Sequence, residues 1–135
     1  MNGIIDFLCD AVDFIIDLIV EIIEGIISFV ESVYNYFLNL PQEVQEMIKF
    51  IIDIFSEDGD LVLQSNDALK EKLKKANVFT YVDGKLIKKT NNAFLEAALD
   101  ENTGQIRYGK VLAGNEIDDS IKTLTHEDGI GVLEF

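Results

Sequence analysis

No basic residue precedes Lys49, although acids recur throughout that stretch. A helix lying on an anionic bilayer carries a belt of Lys and Arg, so this lack argues against a membrane-surface segment. Nor is any run of about 18 residues free of charge, which disfavours a spanning helix. The formal net charge is −14. So acidic a chain lacks the cations that phosphate contacts need, and direct nucleic-acid binding is not expected. Imitation of nucleic acid by a row of carboxylates remains a reading of the same charge, but a solvated acidic face accounts for it more simply.

Other absences narrow the chemistry. There is one cysteine, Cys9, which has no partner for an internal disulfide, and one histidine, His126. No Cys or His pair can hold zinc. The acidic clusters at Glu57–Asp58–Asp60, Asp100–Glu101 and Glu116–Asp118–Asp119 lack the alternate spacing of a calcium loop and read as turn and helix-start residues. Gly129–Ile130–Gly131 is too short for a phosphate-binding fingerprint. No metal and no cofactor are expected. Met1–Asn2–Gly3 has no positive flank, so no signal peptide is read, and a cytoplasmic setting or an assembled particle is favoured.

What is present is concentrated at the start. From Gly3 to Leu40 the polar residues Asp6, Asp10, Asp13, Asp17, Glu21, Glu24, Ser28, Glu31, Asn35 and Asn39 step by threes and fours. At about 100° per residue they share an arc of roughly 100°. The spacing predicts one long amphipathic helix, about 55 Å in length, that is apolar around roughly 260° of its girth. A second helix is expected from Pro41 to Phe55, which makes a helical hairpin. Twelve acids and one Lys fall within residues 1–59, against thirteen acids and ten bases in 60–135. The break at Ser56–Asp60 therefore divides the chain into a helical region, 1–59, and a small module, 60–135.

The second region reads as α+β. Leu61–Leu63 suggests a short strand, and Ser65–Asn66–Asp67 opens a basic helix to about Ala76. Asp83–Gly84 between two apolar runs signals a β-hairpin. Asn91 to Leu99 is expected as a short helix, Gln105 to Leu112 as a strand, Asn115 to Leu124 as a helix and Ile130 to Phe135 as a last strand. The fold class expected is thus α+β: a long N-terminal amphipathic helix in a helical hairpin, then a small C-terminal α+β module with a β-hairpin.

So wide an apolar face exceeds what the chain can cover, and exposed patches of that kind mark interfaces. The functional expectation is a self-assembling structural or protein-interaction protein built on a helical bundle. It would form a homo-oligomer, or hold another protein, through Phe7, Ile15, Ile19, Ile22, Ile26, Phe29 and Val33. Lys70, Lys72, Lys74, Lys75, Lys85, Lys88 and Lys89 supply a basic patch that could pair with the acids of a neighbouring copy. An enzyme is the less favoured class. Its form would be a small nuclease toxin with His126 as base and Arg107, Lys110 and Lys122 stabilising phosphate charge. An acidic, membrane-active pore former, with carboxylates protonated before insertion, is the other alternative.

Overall fold

Seven consecutive residues, Ala93 to Leu99, are all buried. Burial on both sides is the condition of a strand at the middle of a covered sheet. The structure, a computed structural model that describes residues 18–125 and 129–134, places them there. β5 (Asn92–Asp100) is the central strand of a five-stranded mixed sheet of order β1-β6-β5-β2-β7. Its partners are β6 (Gln105–Ile117) and β2 (Ile48–Asp53), both antiparallel. β7 (Ile130–Leu133) runs antiparallel to β2 and forms one edge, and β1 (Leu18–Ile27) runs parallel to β6 and forms the other.

Both faces of the sheet are packed. On one, Phe50, Ile52, Leu95, Ala97 and Val111 meet Val62 and Leu63 of α2 (Glu57–Gln64), Leu69 and Leu73 of α3 (Asp67–Lys75), and Phe79 of the hairpin β3 (Phe79–Val82) and β4 (Lys85–Lys88). On the other, Ile51, Phe94, Ala98 and Leu112 meet Val33, Phe37 and Val44 from the segment after β1, and Ile121 of α4 (Asp119–Thr125). That segment is a wide, π-type turn (Phe29–Tyr34), the short α1 (Asn35–Leu38) and a 3-10 turn (Gln42–Glu46).

The expected long N-terminal helix, the helical hairpin and the helical bundle are corrected by this arrangement. Leu18–Ile27 is a strand, and Ile48–Asp53 is another. Residues 1–17 lie outside the described part. The physical reason lies in the side chains. Six of the ten residues of β1 are Val or Ile. β-branched residues lose χ1 freedom in a helix and pack well on a pleated surface. The acidic spacing that imitates a helix survives for two reasons. The register of β1 on β6 shifts between Ile23 and Ile26, and the chain does turn helical after Ser28, whose hydroxyl accepts the Glu31 N–H at 3.2 Å. Asn91–Leu99, expected as a helix, is β5, and Leu61–Leu63, expected as a strand, lies within α2.

The sheet draws on both regions distinguished by charge. β1 and β2 come from residues before Gly59, and β5, β6 and β7 from residues after it. Gly59 itself lies in α2, so close to the Asp53 carbonyl that a Cβ would collide with backbone.

Candidate functional site

β1 is the only described strand that is both long and at an edge of the main sheet. Its ten residues pair with β6 on one side and with no strand on the other among the described residues. Ile19, Ile22 and Ile26 on it are 56%, 48% and 60% exposed, and Val30 just beyond is 56% exposed. Leu18 and Ile27, at the two ends, are buried and hold the strand to the body.

Charge fixes the middle of β1. Lys110 on β6 reaches Glu21 with Nζ–Oε2 at 2.9 Å, and its ammonium lies 5.6 Å from the centre of the Tyr36 ring. Directly across β6 from Lys110, on β5, stands Glu96. Glu96 is fully buried, and neither carboxyl oxygen has a hydrogen-bond partner among the described residues. Burial pushes its carboxyl up to about 9, with Lys110 pulling it down and Glu21 adding to the rise. Glu96 is therefore neutral at pH 7, and Lys110 gives its charge to Glu21. The Tyr36 hydroxyl is pushed up too, by burial first and then by Glu96 and Tyr108.

The C-terminal end of β1 opens into a groove of about 530 Å³ lined by Ile26, Ser28, Glu31, Ile117, Asp118 and Asp119. Asp118 is occupied as a staple. Its carboxylate accepts the Ser120 N–H at 3.0 Å and the Phe29 N–H at 3.5 Å, and its own N–H donates to the Ile27 carbonyl at 3.0 Å. Chiefly the Ser120 N–H holds its carboxyl below the usual range. Among the described residues no three metal-ligating side chains come together, and no helix is long and apolar enough to cross a membrane.

The residues singled out from the sequence are dispersed. Ile19, Ile22 and Ile26 stand exposed on β1, Phe29 is half-buried, and Val33 is fully buried against the chain's own sheet. Phe7 and Ile15 lie outside the described residues. Arg107, Lys110 and Lys122 are each engaged with an acid. Arg107 pairs with Glu43 at 3.4 Å and Asp100 at 3.9 Å, Lys110 with Glu21, and Lys122 with Asp119 at 3.8 Å. His126 lies outside the described residues. The bulge where β5 steps from Ala98 to Leu99 leaves Arg107 as the extra residue of β6. Arg107 and Tyr108 then both reach Glu43, the Tyr108 hydroxyl donating at 3.3 Å.

Glu96 has no counterpart in the sequence reading. Its signal was a single acid inside the apolar run Ala93–Leu99. In a helix that acid would face water; in a central strand it cannot.

No protein-family model, no curated protein and no solved structure matches the chain.

Proposed function

We propose that this chain is a protein-interaction protein that associates with further copies of itself along the outer edge of β1. The observation that supports the reading is that Ile19, Ile22 and Ile26, about half or more exposed, lie on a strand with no neighbour on its other side among the described residues, with exposed Val30 just beyond it. An edge strand presents unpaired N–H and C=O groups that template another strand, and natural edges are blunted by charge, above all lysine, by proline, by bulges or by short length. β1 has ten residues, no lysine and no proline. Main-chain pairing along such an edge gives affinity, and alternate side chains give specificity.

The anchoring of β1 suits the same use. Glu21–Lys110, the Asp118 staple and the buried Leu18 and Ile27 hold the strand in place, so its outer edge is presented already shaped and little ordering cost remains at association.

The test is mass in solution. Sedimentation of the wild-type chain at roughly 100 µM should give a mass well above the 15.2 kDa of one copy. Ile22→Lys combined with Ile26→Lys, both at exposed positions, should return it to one copy without loss of the folded circular dichroism spectrum. A wild-type chain that sediments as a single copy at that concentration would refute the reading.

A further inference from the structure

Two four-residue segments complement each other along their lengths. In β1 the order is Glu21–Ile22–Ile23–Glu24. In β4 it is Lys85–Leu86–Ile87–Lys88. One has acids at both ends and two apolar residues between; the other has bases at both ends and two apolar residues between. β4 pairs with β3 and, among the described residues, has no strand on its other side. Taking the association along β1 as its premise, we infer that the edge seated on β1 is β4 of a second copy, in antiparallel register with Glu21 opposite Lys88, Ile22 opposite Ile87, Ile23 opposite Leu86 and Glu24 opposite Lys85.

Direction follows from what is already engaged. Glu21 is bound to Lys110 at 2.9 Å, and the Lys88 ammonium lies 4.9 Å from the centre of the Phe55 ring. Glu24 and Lys85 are both exposed, and neither is in an ion pair among the described residues. The antiparallel register sets these two against each other; a parallel one sets each against a group already occupied. It also joins Ile22, 48% exposed, to Ile87, 42% exposed. Val82, which lies beside Lys85 on β3, extends the apolar strip.

The rival partner within the same molecule is β1 itself. A two-fold pairing that overlaps all ten residues puts Glu21 of each copy opposite Glu24 of the other. Like charges directly opposite destabilise a strand pair, and here the clash occurs twice. β7, Ile-Gly-Val-Leu, offers no base to either acid. Charge across the whole surface agrees with β4. Lys70 and Lys74 of α3 gather at the Tyr81 ring, 6.0 and 5.9 Å from its centre, next to the hairpin that carries Lys85, Lys88 and Lys89. β1 carries Glu21 and Glu24 and no base, and Glu31 follows in the turn just beyond it. Acidic edge and basic hairpin belong to different parts of one chain, so the contact is heterologous and repeats from copy to copy.

A charge-exchange experiment decides it. Glu24→Lys and Lys85→Glu, both at exposed positions, should each weaken association about tenfold by sedimentation. Mixing the two variants should recover association to within about threefold of wild type, as should the double variant E24K/K85E. If Lys85→Glu leaves association unchanged while the Ile22→Lys and Ile26→Lys pair abolishes it, β1 remains the associating edge and β4 is not its partner. If neither mixing nor the double variant recovers what the single changes lose, the register is overturned. A wild-type chain that stays a single copy removes both the premise and the inference.

Discussion

Glu96 is the residue whose chemistry departs furthest from its type. A carboxyl buried in the middle strand of the sheet, with no hydrogen bond to any described residue, is stable only when neutral. The unfolded chain ionises Glu96 near its ordinary 4.5, and the folded chain near 9. Between those values the unfolded state binds fewer protons, so this group's contribution to stability is complete below about 4.5, falls as pH rises, and is lost by about 9. Urea midpoints of wild type and Glu96→Gln, followed from pH 5 to pH 9, should diverge. The wild type should lose stability through the window, and the variant should lose roughly 5 kcal/mol less, at about 1.4 kcal/mol for each pH unit, since Gln carries no proton to give up. Parallel curves would show that Glu96 is not held neutral.

Gly59 is the other residue whose identity is imposed by its surroundings. Its Cα lies against the end of β2, where any Cβ would meet the Asp53 carbonyl and the Ile54 backbone. Neither can yield without moving the strand. Gly59→Ala should destabilise by about 1–3 kcal/mol, read from thermal unfolding, although alanine is the better helix former.

Among the elements, the ones that could be read from local sequence are those set by local chemistry. The Asp83–Gly84 turn is one. Both residues have positive φ, 53° and 78°, as a two-residue hairpin demands. Gly84→Ala should cost roughly 1 kcal/mol in thermal unfolding and should leave β5 intact by amide exchange, since the strain is confined to the hairpin. α3 is another. Its start at Asp67 follows the Asn66 signal, and it closes with Val78 N–H on the Leu73 carbonyl, around Asn77 at φ 65°.

The elements that could not be read are those decided by distant partners. Ala93–Leu99 is rich in Ala, Leu and Glu, all good helix formers, yet β2 and β6 on either side make it a strand. Phe50, Ile51 and Ile52 form a short apolar run that periodicity alone cannot assign. Glu57, Asp58 and Asp60 were legible as a break, but with Ser56 accepting the Gly59 N–H at 3.0 Å they begin a helix rather than end one. For the site, the apolar excess in Leu18–Ile27 was visible whatever its geometry. Glu96 was hidden, because a helix reading put it in water. The placement of Val33 was hidden because it depends on the turn at Ser28.

On the scale of the whole molecule, the separation of charge explains how an assembly could have a direction. The acids near the exposed isoleucines belong to β1 and the turn after it, the lysines belong to α3 and the hairpin, and repulsion of like charges disfavours symmetric pairing.

The pairing of β1 with β6 carries a further consequence, for the order in which the chain takes shape. Leu18 meets Gly109, about 90 residues later in the sequence. At ribosomal speeds the first strand emerges on the order of ten seconds before its neighbour exists. Throughout that wait a string of isoleucines stands without shelter beside the translation machinery. Glu21 and Glu24 interrupt the string, and charges so placed act as gatekeepers against premature aggregation of nascent chains.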